Sequence, residues 1–160
     1  MSKVKTNAMR LLDRQKMAYG VLTYEVKDGA IDGVSVATKI NRPVEEVFKT
    51  LVTRGASKEI YVFVIPVSKE LDLKKAAKSV KEKKIELIAV NEINKLTGYI
   101  RGGCSPIGMK KRYQTVIDQS AKERPTFIVS GGKIGLQLEL NPKDLSQLLD
   151  VCFLDVTLED

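Results

Sequence analysis

No histidine occurs anywhere in this sequence. That absence removes the Ser-His-Asp and Cys-His nucleophile systems, together with His-based zinc and non-haem iron sites. Cysteine is nearly as scarce: only Cys104 and Cys152 are present, far apart and without CxxC spacing. A disulfide scaffold and structural zinc are both disfavoured, so no metal and no cofactor is expected. No apolar run approaches the length that crosses a bilayer. The basic opening MSKVKTNAMRLLDRQK lacks the apolar stretch and small-residue cleavage site of a secretory signal. The expected address is cytoplasmic. Neither Gly-x-x-x-x-Gly-Lys-Ser/Thr nor a Rossmann fingerprint appears. With no repeat, low-complexity stretch or long linker, the 160 residues read as one domain, 1–160.

What is present is a basic chain, with 43% apolar and 29% charged residues and a formal net charge of +7. A positive surface favours approach to a polyanion, yet lysine also serves simply to solvate, and composition does not separate the two.

Hydrophobic periodicity predicts an amphipathic helix over 7–17 after the cap Thr6, then a strand at Gly20–Val26 before the Asp28-Gly29 turn. Pro43 suits a first helical position, with Glu45 and Glu46 at the positive end of the dipole and Val44, Val47 and Phe48 facing inward. Thr50–Thr53 and Ile60–Pro66 flank the polar connector RGASKE as a hairpin, which sets Lys49 at a helix-to-strand junction. Leu73, Ala76, Ala77 and Val80 mark a helix with a basic outer surface. A buried strand at Ile85–Val90, a short helix at Asn91–Leu96, and strands at Tyr113–Ile117, Thr126–Val129 and Gly135–Leu140 follow. Pro142–Leu149 reads as helix and Val151–Thr157 as strand. Hairpin-length connections mixed with helices favour an α+β domain around a mixed, largely antiparallel sheet.

Three segments could carry chemistry. GYIRGGCSPIGMKK, Gly98–Lys111, brings Gly98, Gly102, Gly103 and Gly108 together with Pro106, and a basic flank of Lys110, Lys111 and Arg112 follows. Such backbone can approach a ligand closely and offer N–H groups to an oxygen, or it can be an ordinary tight turn. Ser130-Gly131-Gly132-Lys133 between two apolar strands is either a presented hydroxyl or a plain β-turn. Lys49, Tyr24 and the helix-opening Asp144 are unremarkable when each is taken alone.

In combination and order, Lys49-Thr50-Leu51, Leu71-Asp72-Leu73-Lys74-Lys75-Ala76-Ala77, the Gly98–Gly108 run and Ser130-Gly131-Gly132 resemble the YbaK family of free-standing transfer-RNA editing proteins. Within that family they are similar to the Cys-tRNA(Pro) deacylases, relatives of the editing domain inserted in prolyl-tRNA synthetases. The similarity runs from the first helix through Leu149. It implies a partly barrel-like sheet flanked by helices, whose cleft takes the aminoacyl 3′ end of tRNA. Lys49 is then the residue essential for activity, with Tyr24, Thr50, Gly102, Gly103, Ser105, Pro106, Ser130, Gly131 and Gly132 in the cleft. The implied reaction removes cysteine from Cys-tRNA(Pro), and Cys-tRNA(Cys) is a further candidate substrate. Prolyl-tRNA synthetase is the implied partner, and no membrane is involved.

One departure stands out: Gln137 occupies the position, seven residues after the serine of SGG, where family members often carry Asp. Without histidine, the family picture uses the substrate's own thiol as nucleophile and the Gly102-Gly103 amides as oxyanion donors. Cys104, lacking a partner base, is expected to be a loop residue. Two other readings are editing of another small amino acid such as alanine, and a non-catalytic RNA-binding module of the same fold.

Overall fold

The computed structural model describes residues 5–159. Along the chain run α1 (Asn7–Arg14), β1 (Gly20–Thr23), α2 (Gly33–Lys39), a 3-10 turn at Val44–Glu46, β2 (Phe48–Gly55) and β3 (Ile60–Pro66). Then come α3 (Leu73–Ser79), β4 (Ile85–Leu87), α4 (Val90–Thr97), β5 (Gln114–Asp118), a 3-10 turn at Gln119–Ala121, β6 (Phe127–Ser130), β7 (Leu136–Leu140), α5 (Pro142–Leu145) and β8 (Val151–Leu154).

The strands form a five-stranded mixed sheet, order β4-β2-β3-β5-β8, and a three-stranded antiparallel sheet, order β1-β7-β6. The predicted hairpin is β2 with β3, Thr50 opposite Val64 and Arg54 opposite Ile60. β5 and β8 add to the larger sheet in parallel. β3 reads as an unbroken apolar run because both its faces are covered. Val62 and Val64 join the main core with α1, while Tyr61, Phe63 and Ile65 pack with Ala76, Ala77 and Val80 around α3.

The two sheets meet at the start of β2. A parallel bridge joins Val47 to Ile128, and the Phe48 and Phe127 rings stand edge to face with centroids 5.2 Å apart. The sheets wrap toward one another without closing, as expected for a partly barrel-like α+β domain. α1 is held at its first turn: Thr6 Oγ1 accepts the Met9 N–H and donates to the Gly131 carbonyl.

Several elements differ from the sequence expectation. α2 was not anticipated, since Gly33 and the β-branched residues that follow have weak helix propensity. Its cap is Asp32, which accepts the Ser35 N–H. The region after Pro43 makes only one 3-10 turn, and Phe48 already belongs to β2. Lys49 is therefore the second residue of a strand. β4 is short and lies at the sheet edge, so Ile85 alone is buried; Leu87 and Val90 are exposed. Leu73, assigned to the inner face of its helix, stays 44% exposed. β1 ends at Thr23, three residues before the expected Val26. α5 stops at Leu145, after which Leu148 and Leu149 both donate to the Leu145 carbonyl in tight turns.

Candidate active site

Where the sheets diverge, β2 forms one wall of a cavity of about 390 Å³. Lys49 and Thr50 come from β2, two and three residues beyond the bridging Val47. Ser130 and Gln137, paired across β6 and β7, come from the smaller sheet. Tyr24 enters from the end of β1, where its N–H extends the pairing by donating to the Gly135 carbonyl. Ile31, Asp32, Gly33 and Val34, at the start of α2, complete one side. Arg101, Gly102 and Cys104 of the glycine-rich loop complete the other. Side chains scattered from residue 24 to residue 137 thus share one space.

The polar groups in this space are under-satisfied. Lys49 is half-buried and makes no ion pair or hydrogen bond with any described residue. Desolvation draws its pKa below the usual lysine value, and the negative charge of Glu70 offsets only part of that. The hydroxyls of Tyr24 and Thr50 are buried without a hydrogen-bond partner among the described residues. Each such orphan costs on the order of 1–3 kcal/mol of folding stability. Such groups are rare in native chains, and a ligand or water held in the cavity would supply the missing partners. Gln137 is 6% exposed and brings a neutral amide, not a carboxylate, to the cavity.

The loop wall is built differently. Gly103 touches the neighbouring loop backbone to backbone: a Cβ there would lie 2.9 Å from the Ile134 nitrogen and 3.0 Å from the Lys133 carbonyl carbon. Its N–H donates to the Ile100 carbonyl, which takes it out of the oxyanion role expected of it. The Gly102 and Cys104 N–H groups, like the exposed Arg101 guanidinium beside them, have no partner among the described residues and are free donors of this wall. Cys104 is 8% exposed, and burial pushes its thiol up to about 11, partly countered by a Thr97 hydrogen bond. It is therefore protonated near neutral pH, a poor nucleophile.

Of the residues singled out from sequence, Lys49, Tyr24, Thr50, Gly102 and Ser130 line the cavity together. Ser105, Pro106, Gly131 and Gly132 do not reach it. Ser105 is fully buried, its Oγ accepting the Ile107 N–H. Pro106 faces a second depression. Gly131 donates to the Leu136 carbonyl. Gly132, at φ +99°, packs on the Tyr99 ring, where a Cβ would meet Cε1 at 2.8 Å. These residues shape the loops behind the site. Sequence reading missed the α2 side of the cavity; the Asp32–Ser35 cap spacing was the available signal. No cluster of His, Cys, Asp or Glu suited to a metal ion occurs among the described residues.

An α+β domain with this cavity, in which an unpaired lysine faces orphaned hydroxyls, is the frame of an aminoacyl-tRNA editing domain. Residues 31–148 match that family, and the chain belongs to it. It is 40% identical over 156 residues, covering 98% of this chain and 95% of the relative, to an Enterococcus faecalis protein named "Putative Cys-tRNA(Pro)/Cys-tRNA(Cys) deacylase EbsC". Two solved structures share the fold. One, "hypothetical protein APE2540", superposes with a TM-score of 0.86 at 22% identity, covering 96% of this chain and 100% of that one. The other, "a putative trans-editing enzyme for prolyl tRNA synthetase", gives 0.82 at 21% identity, covering 98% and 100%.

Proposed function

We propose that this chain is a trans-editing deacylase that removes cysteine from Cys-tRNA(Pro), with Cys-tRNA(Cys) as a second substrate. The observation that carries the reading is the grouping of Lys49, unpaired and half-buried, with the partnerless hydroxyls of Tyr24 and Thr50 in one cavity. That donor set suits a bound ester and ribose, and the volume is on the scale of a small-ligand pocket.

With no histidine to activate a hydroxyl and the Cys104 thiol held protonated by burial, the chain offers no activated nucleophile, so the substrate thiol does the work. As thiolate it attacks its own ester carbonyl; the S–C bond forms, the C–O bond to the ribose breaks, and the ribose oxygen takes up a proton. Water then opens the cyclic thioester. Holding the thiol in register with the carbonyl can contribute on the order of 7–11 kcal/mol. The Lys49 ammonium and the Gly102 and Cys104 N–H groups meet the developing oxyanion, each well-placed donor contributing roughly 3 kcal/mol.

Choice of tRNA is delegated to prolyl-tRNA synthetase in a cytoplasmic ternary complex, a reading supported by the lack of any anticodon-reading segment in the sequence. Co-sedimentation of the chain with synthetase in the presence and absence of tRNA tests that part. The activity itself is tested with tRNA charged with Cys, Ala, Ser or Pro. Release of cysteine well ahead of serine is expected. Serine released as fast as cysteine sinks thiol assistance, fastest release of alanine moves the specificity, and no release from any of the four leaves an RNA-binding module.

A further inference from the structure

The glycine-rich loop has two sides. Arg101, Gly102 and Cys104 face the cavity described above, whereas Pro106 and Met109 face a separate depression of about 220 Å³. Its floor is apolar, with Leu148 and Leu149 across from Met109, and Lys111 and Arg112 stand on its rim. Tyr113 also lines it, and its hydroxyl donates to the Leu96 carbonyl at 2.6 Å, which fixes the plane of the ring. Cys104 and Pro106 are two residues apart, so the walls of the two cavities lie within about 7 Å of each other along the backbone.

Charge in this region is one-sided. Between Glu92 and Asp118 the sequence has no acidic residue, while Lys95, Arg101, Lys110, Lys111 and Arg112 all fall there. All five are exposed and none forms an ion pair with a described residue. Other cations do meet carboxylates, as in Lys39–Asp28, Arg42–Glu139 and Lys75–Asp155, whereas this stretch has none within it to pair with. An unmatched cationic rim around a fixed aromatic ring is the arrangement that holds single-stranded nucleic acid, phosphates on the cations and a base on the ring. Duplex RNA keeps its bases stacked and could not use the apolar floor.

We propose that this depression docks an unpaired nucleotide of the RNA's 3′-terminal strand, with its base on Tyr113 and Met109 and its phosphates at Lys111 and Arg112. The glycine-rich loop then separates two sites on one substrate: the aminoacyl ester on one side, the strand leading to it on the other. The inference rests on the proposed reading that the substrate is a charged tRNA.

The test compares wild type with the surface double variant Lys111→Gln/Arg112→Gln, using a short uncharged single-stranded RNA, a blunt RNA duplex of equal length, and cysteinyl-adenosine as an ester without a strand. Loss of two phosphate contacts should weaken single-strand binding about tenfold at low salt and flatten the slope of log K against log salt by about 1.4. Cleavage of cysteinyl-adenosine should be unchanged. As a second variant, Tyr113→Leu should weaken single-strand binding about tenfold while Tyr113→Phe retains it, since stacking needs the ring. Unchanged affinity and slope in the double variant overturns the proposal. So does an equal loss of duplex binding, or an equal loss of cysteinyl-adenosine cleavage. If wild type does not cleave cysteinyl-adenosine yet the binding results hold, the deacylase reading fails and the docking surface stands.

Discussion

The strand wall and the loop wall of the cavity solve the same problem in opposite ways. On β2, β6 and β7 the backbone is fixed by strand pairing, and the residues these strands bring to the cavity carry polar side chains: Lys49, Thr50, Ser130 and Gln137. Two buried hydroxyls on that half of the site, those of Thr50 and Tyr24, have no partner. On the loop, Arg101 and Cys104 line the cavity beside the bare backbone of Gly102, and the amide of Gly103 just behind them is already used. A sheet can carry the unsatisfied groups because its strands are fixed by pairing and by a core on each face. A loop cannot store such strain in the same way, so its contribution depends on close backbone approach. Function is accordingly expected to be sensitive to side-chain chemistry on one wall and to side-chain volume on the other.

The largest effect should come from the strand wall. Lys49→Ala is expected to lower deacylation on the order of 10³-fold with little loss of stability, as measured by kcat/KM and thermal melting. Lys49→Arg should recover part of the activity and also alter the pH profile. Because burial depresses the Lys49 pKa, the protonated form is lost at a lower pH than for an ordinary lysine. The falling limb of wild-type kcat/KM should therefore lie below about 10.4, and arginine should move it upward. A falling limb unmoved by arginine would break the assignment.

Next in size is Gly103→Ala on the loop wall. A methyl group there meets backbone at 2.9 Å, which cannot give way as a side chain can, so the two loops must separate. Activity is expected to fall about 10²-fold, since an ångström of misplacement suffices for that. Stability should fall by about 1–3 kcal/mol. Thr50→Val and Tyr24→Phe should each lower activity about tenfold while raising stability by about 1 kcal/mol, because each deletes an orphaned buried hydroxyl. A loss of stability instead would show that the hydroxyls are satisfied within the fold. The smallest effect is expected for Cys104→Ala: activity within about twofold of wild type, because a thiol whose pKa is raised by burial is not a nucleophile at neutral pH.

Much of this was legible in the chain. The β2–β3 hairpin followed from two apolar runs around RGASKE, and α3 from the spacing of Ala76, Ala77 and Val80, because both signals are periodic and local. α2 was not legible, since its helix depends on packing: Gly33 sits against Val67, where a Cβ would come within 2.3 Å of Cγ1. β4 was overread as buried because an apolar run does not say whether a strand lies at the centre or the edge of a sheet. In the site, the ordered motifs led to Lys49, Thr50 and Ser130, but the same motifs also drew in Ser105, Gly131 and Gly132, which support the loops from behind.

The sequence by itself determined the chemistry that is possible: no histidine means no imidazole base, and two separated cysteines with no metal-ligand spacing leave a lysine, hydroxyls and backbone amides. Tertiary structure alone decided which of those groups meet. Whether a hydroxyl has a partner and whether a lysine is desolvated are properties of a cavity whose walls are drawn from residue 24 to residue 137. No local pattern encodes them, because burial and hydrogen-bond satisfaction exist only once the two sheets have come together beside the cavity.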